Sequence, residues 1–178
     1  MKLQALTEKI DSYIRGFFFR AIYHIRGGKK LKIYPGAYFN ANTSKKIFLG
    51  YGVKFYHDVE ICVDGDNAEV HIGDRSYINR RSQIKCKKGV SIGADCAISW
   101  DVTIADTDYH SINGKDDSAE IDIGNHVWIG CKSTILKGVT IGDGAVIAAG
   151  SLVNRNVPAH VLVGGVPVKI LKENVDWK

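Results

Sequence analysis

From Ile123 to Pro158 an aliphatic side chain returns at every sixth position: Ile123, Ile129, Ile135, Ile141, Ile147 and Val153. Four residues after each comes a smaller partner, Val127, Ser133, Val139, Ala145, Ser151 and Val157. Each partner precedes the next aliphatic residue by two, so the pair shares one face of a short strand and both point into a core. Gly or Ala often follows the aliphatic residue (Gly124, Gly130, Gly142, Ala148), and turn formers such as Asn125 and Asp143-Gly144 come next. A period of six matches neither the 3.6 of a helix nor simple alternation. It is the signature of a β-solenoid, whose coils each bury an apolar face on the next.

The same beat runs through most of the chain. Leu49, Phe55 and Ile61 are six apart, with Val53 and Val59 as partners. After an excursion over Asp64 to Ala68 it resumes at Ile72 and Ile78, with Ser76 and Ser82. The register slips by two between Ile84 and Cys86, and then Cys86, Ile92, Ile98 and Ile104 keep time. Roughly 14 such rungs between residues 49 and 158 predict one continuous domain over 31–178, because stacked solenoids are effectively linear. From Leu31 to Phe48 the pattern is loose, with turns expected at Pro35-Gly36 and Asn40 to Ser44.

Cys62, Cys86, Cys96 and Cys131 lack CxxC spacing, and Cys86 and Cys96 fall on inward positions. They read as reduced packing residues, neither disulfide-bonded nor metal-binding, in a cytoplasmic protein. No leader and no spanning helix are expected. The net charge of +5 is concentrated in residues 1–32, where eight cations face only Glu8 and Asp11. The remaining chain is nearly neutral, which argues against nucleic acid as a partner.

Within 1–30, residues 1–26 read as an amphipathic helix, with Leu3, Leu6, Ile10, Ile14, Phe17, Phe18, Ala21, Ile22 and Ile25 at spacings of three and four, ended by Gly27-Gly28. One reading has it cover the open end of the solenoid or pack on a neighbouring subunit. The other uses Phe17-Phe18-Phe19 between Arg15 and Arg20, which suits peripheral contact with an anionic membrane. Ala105 to Glu120 has no beat, is polar, and holds His110 after Asp106 and Asp108. A structureless loop of this length inside a compact domain points to function.

His-Val-Trp-Ile-Gly at 126–130, Gly-Val-Thr-Ile-Gly-Asp-Gly-Ala at 138–145 and Val-Gly-Gly-Val-Pro-Val-Lys at 163–169 resemble the hexapeptide-repeat acyltransferases, and among them the O-acetyltransferases of galactosides, maltose and bacterial polysaccharides. The resemblance implies an all-β fold, a left-handed triangular parallel β-helix. It further implies a homotrimer with active sites between subunits, acetyl-CoA as donor, and no metal. It places the general base at His110, with Asp106 or Asp108 holding the imidazole. Trp128 would lie beside the thioester and pantetheine, and the Cys131 N–H would meet the developing oxyanion. Tyr77 and Asn79 match the other wall of the cleft. Arg80 and Arg81 follow, with Lys85 and Lys87 nearby, where enzymes of simple galactosides carry acidic residues; this leans toward a polymeric or anionic glycan. Ala149, Asn154, Arg155, Lys169 and Lys172 carry over as CoA contacts, cations serving the phosphates.

The expected activity is O-acetylation of a sugar or surface polysaccharide such as capsule, O-antigen or exopolysaccharide. The alternatives are N-acetylation of an amino sugar or its nucleotide-linked form, acetylation of an antibiotic, and a non-enzymatic solenoid that only trimerises.

Overall fold

The computed structural model describes residues 2–40 and 46–178, with side chains in the amino-terminal helix from residue 6 onward. The turn expected over Asn40 to Ser44 lies, from 41 on, outside the described residues. One helix, Lys2–Ile22, precedes a parallel β-solenoid of three sheets. The first sheet stacks Arg26–Gly27, Ile47–Leu49, Glu69–Ile72, Gly89–Ile92, Ile121–Ile123 and Thr140–Ile141. The second begins at Lys32–Ile33 and runs through Tyr77–Ile78, Ala97–Ile98, Trp128–Ile129 and Val146–Ile147 to Leu162–Gly164. The third holds Tyr38–Phe39, Glu60–Val63, Gln83–Cys86, Thr103–Ala105, Thr134–Ile135 and Leu152–Val153. Three successive strands make one coil, so the sequence hexads are single sides of a triangle, six coils deep.

Like sits on like in the interior. Ile33, Phe55, Ile78, Ile98, Ile129 and Ile147 form one inward ladder, each at most 1% exposed. The small partner positions form another, and their serines satisfy themselves: Ser76 Oγ donates to the Gly93 carbonyl at 2.7 Å and accepts from Cys96 N–H at 2.9 Å. A hydroxyl is tolerated there because it both donates and accepts a hydrogen bond. Cys86 and Cys96 are buried thiols, and burial pushes both upward in pKa, Cys86 furthest.

Most corners place one residue in the left-handed region, just before the small inward position. Gly fills it at 52, 138, 144 and 150; Arg75, Arg81, Asp95, Asp101, His126, Lys132 and His160 fill it elsewhere. Stacked corners bring some of these side chains together, and Arg75 pairs with Asp95 as Arg81 pairs with Asp101.

Three features depart from the sequence reading. The solenoid starts at Arg26–Gly27, so a full coil lies within the stretch whose pattern looked loose. The loop after Ala105 does not interrupt stacking: Val90 pairs with Ile121 and Ile92 with Ile123, and residues 106–120 hang from an unbroken corner. The slip between Ile84 and Cys86 is a four-residue strand, Gln83–Cys86, matching Glu60–Val63 beneath it. Its extra pair adds a third inward position, Val63 under Cys86.

Candidate active site

The loop 106–120 leaves the corner between the third and first sheets and folds as a small tongue. Thr107 and Ser118 form an antiparallel bridge, and Asp108 N–H donates to the Asp117 carbonyl at 2.8 Å. Three cross-ties hold it: Lys87 to Asp117, Lys137 to Asp108 at 2.7 Å, and the Tyr109 hydroxyl to Asp64 at 3.0 Å. Partial burial and the Asp64 carboxylate push the Tyr109 phenol up to about 12, so it stays a donor. His110 stands exposed at the tip, with no hydrogen bond to any described residue of its own chain. Such a side chain is free to meet a substrate or a second subunit.

Asp106 does not orient His110. It is fully buried, and its two oxygens accept the N–H groups of Lys87, Lys88 and Gly89 at 2.7, 2.8 and 2.7 Å. Lying two residues after the inward Ile104, it continues the Val63–Cys86 ladder and points into the core. Buried and committed to three amide donors, this carboxylate makes no contact with His110. Asp108 is engaged with Lys137, so it too fastens the tongue and makes no contact with His110.

The second group of candidates lies elsewhere on the prism. Trp128 points outward from the second sheet, 42% exposed, with its indole N–H 3.3 Å from Ser99 Oγ. Tyr77 and Trp128 flank Ala97 in one outward row, two strand spacings or roughly 10 Å apart. Asn79 stands at the next corner; its carbonyl oxygen takes the Arg80 N–H at 2.8 Å, which leaves its amide N–H groups to face outward. Among the described residues nothing accepts the Cys131 N–H, and Ala149 lies in the coil beneath, where Gly150 N–H reaches the Cys131 carbonyl at 2.8 Å. An unclaimed backbone N–H of this kind can serve as an oxyanion donor.

The expected basic wall is largely neutralised. Arg81 is held by Asp101 through two bonds of 2.7 and 2.8 Å, Lys85 by Glu60 at 2.6 Å, and Lys87 by Asp117. Only Arg80 of the four keeps its charge without a carboxylate, stacked 5.6 Å over Trp100. The lean toward an anionic acceptor therefore loses its electrostatic basis, and Arg81 is a corner fastener.

A groove of about 420 Å³ opens at the far end of the solenoid between 155–158 and 168–170. Val157, Val163 and Val168 form its floor, and Arg155 and Lys169 stand at its edges. An apolar trough edged by two cations fits a chain that carries phosphates. Asn154 is exposed on the same corner. Lys172 ends the antiparallel strand Lys169–Lys172, paired with Leu162, and does not line the groove. Among the described residues no group of three or more His, Cys, Asp or Glu is gathered to hold a metal ion.

One participant had no signal in the periodicity. Trp177, beyond the last hexad, folds back to stack on His126 with ring centres 4.3 Å apart, and its indole N–H donates to the His126 carbonyl at 2.8 Å. It also leans on Trp128 at 6.0 Å. The tail thus closes one side of the indole expected at the acyl group.

Residues 120–155 match the family described as Bacterial transferase hexapeptide (six repeats). The galactoside O-acetyltransferase of Escherichia coli K12 is 40% identical over 111 residues, 60% of this chain and 55% of that protein. The chain thus spans little more than half of that relative's length. A putative lipopolysaccharide biosynthesis O-acetyl transferase of the same strain is 29% identical over 140 residues, 70% of this chain and 71% of that one. Among solved structures, a hexapeptide-repeat acetyltransferase of Vibrio cholerae complexed with acetyl-CoA superposes with a TM-score of 0.65 at 25% identity, covering 97% of this chain and 86% of that one.

Proposed function

Because the chain belongs to the bacterial hexapeptide-repeat transferases, we propose that it is an acetyl-CoA-dependent O-acetyltransferase of a sugar or surface polysaccharide, working as a homotrimer whose sites are shared between subunits. The observation that carries this reading is the division of the candidate residues between two sides of one prism. His110 and the Arg155–Lys169 groove share the corner of the third and first sheets; Tyr77, Trp128, Asn79 and the Cys131 amide belong to the second sheet and its far corner. No described contact joins the two groups within a chain. Two copies side by side, one presenting its loop corner and the other its second sheet, bring base and oxyanion donor to one cleft.

In that cleft the free imidazole nitrogen of His110 takes the proton from an acceptor hydroxyl as its oxygen attacks the thioester carbonyl. The Cys131 N–H stabilises the oxyanion, and Trp128 excludes water from the acyl group. Collapse breaks the C–S bond, and the departing thiolate recovers the proton from the imidazolium. The acceptor is read as extended because Tyr34, Tyr56 and Tyr77 succeed one another at 4.9 and 6.0 Å toward Asn79, a row of flat apolar rings suited to successive sugars. O-transfer is favoured over N-transfer by the two relatives named for it.

The test is thiol release from acetyl-CoA with oligosaccharide acceptors, with the product scored for hydroxylamine-labile ester. His110→Ala is expected to keep mass and acetyl-CoA binding while turnover falls at least about 10²-fold. Near-normal turnover in that variant, or a hydroxylamine-stable amide product, would overturn the assignment. A monomer mass at micromolar concentration would remove the shared site.

A further inference from the structure

The amino-terminal helix has two apolar faces, and the solenoid uses only one. Ser12, Gly16, Phe19 and Tyr23 lie on the side that closes the open end, where Phe19 packs edge-on against Phe39 at 5.3 Å. Gly16 allows the approach: a Cβ there would stand 2.3 Å from the Leu31 carbonyl oxygen. At 100° per residue the opposite side carries Leu6, Ile10, Ile14, Phe17, Phe18 and Ile22, each between 50% and 69% exposed. This stripe is wider and more hydrophobic than the face the protein buries. Capping therefore does not account for it.

The surroundings of the stripe specify its occupant. Along the edge marked by Tyr13 the Lys32 ammonium lies 4.8 Å from the Tyr13 ring, and Lys9 and Arg20 follow the same edge of the helix. Exposed Lys29 and Lys30 continue the basic border onto the first coil. The other edge holds Arg15 paired with Asp11 at 2.9 Å. A second copy of this face would set those lysines against their own kind, whereas an anionic lipid surface supplies apolar depth under the stripe and negative charge at its border. No described helix is long and apolar enough to cross a membrane, so the helix lies in the interface plane.

We infer that the outer face of the helix Lys2–Ile22 docks on an anionic bilayer, holding the solenoid end-on to the membrane while the inner face caps it. The inference is independent of the transfer reaction and is tested without it. The full chain is floated with vesicles of phosphatidylcholine alone, or with about a third phosphatidylglycerol. Partition onto the anionic vesicles at least about tenfold above the neutral ones, weakening with added salt, is expected. Phe17→Ser with Phe18→Ser is expected to reduce that partition at least tenfold with circular dichroism and molar mass unchanged. Lys29→Glu with Lys30→Glu should lower the preference for anionic over neutral vesicles. The inference fails if the intact chain does not float with anionic vesicles, or floats equally with both. It also fails if the phenylalanine variant instead falls to a smaller molar mass, which would make a second copy the occupant.

Discussion

Asp106 separates a structural carboxylate from a catalytic one, and the two roles predict opposite data. Its three amide bonds at 2.7 to 2.8 Å are charge-assisted, and bonds of that kind contribute about 1.5 to 3 kcal/mol each. They share one acceptor, so their losses are not additive; about 4 kcal/mol is a reasonable figure for Asp106→Ala, which strands three N–H groups. For a chain of this size that lowers the melting temperature by about 8 to 16 °C. Asp106→Asn keeps one oxygen for Lys88 and Gly89 but turns an amino group toward the Lys87 N–H, so about half that loss is expected. Thermal melting by circular dichroism gives the ranking, and hydrogen exchange at residues 87–89 locates it. An Asn variant within about 2 °C of the parent but with turnover down a hundredfold would overturn the structural role and return Asp106 to the imidazole.

The other consequences are simpler to read. Gly16→Val is expected to push the helix off Leu31 and cost about 1 to 3 kcal/mol, seen as a lower melting temperature and easier proteolysis after residue 22. Lys87 holds the Asp117 carboxyl below the ordinary carboxylate range, so this tie is fully present above that range and is lost as pH falls through the depressed value. The hydrogen-exchange protection of 107–118, relative to the intrinsic rate at each pH, should therefore be flat from neutral pH down to the carboxylate range and fall only beneath it. Arg155→Ala with Lys169→Ala should raise the Michaelis constant for acetyl-CoA with turnover nearly intact, because contacts remote from the carbonyl act equally on ground and transition states. A turnover loss matching the loss in kcat/KM would move the CoA site elsewhere.

The solenoid was legible because one rule, an aliphatic residue every six with a small partner two before it, is dictated by the geometry of each side. Where the rule bends, the sequence misleads for a physical reason. Pro35-Gly36 and the aromatic Phe39, packed against Phe19 of the helix, hide the first coil, since rings and helix share that end of the core. At Gln83–Cys86 the strand lengthens by an alternating pair, which reads as a slip although Ile84 still lies over Ile61. The same lengthened side explains the misreading of Asp106. Counted from Ile104 it is an inward position like Val63 and Cys86, and a carboxylate there must find buried donors. Asp106 and Asp108 before His110 look like an orienting pair only while the chain is taken as continuous loop.

The division of the site is the part no single-chain pattern could display. Periodicity shows that Trp128 faces outward and that His110 lies off the beat, but not that the sheet of one and the corner of the other are on different sides of the triangle. The contacts that fix this are long-range: Lys137 reaches back to Asp108, Lys87 across to Asp117, and Trp177 returns to His126. Each immobilises its own corner and leaves the two groups of the proposed reaction, the His110 imidazole and the Cys131 amide, without hydrogen-bond partners among the described residues. Unpartnered polar groups on two rigid surfaces are a cost for a monomer and an advantage for an assembly, which can satisfy them only with a neighbour and a substrate between. On the proposed trimer, rigid sides and an end cap take the part a mobile lid plays elsewhere: they hold two half-sites ready for a neighbouring subunit to complete.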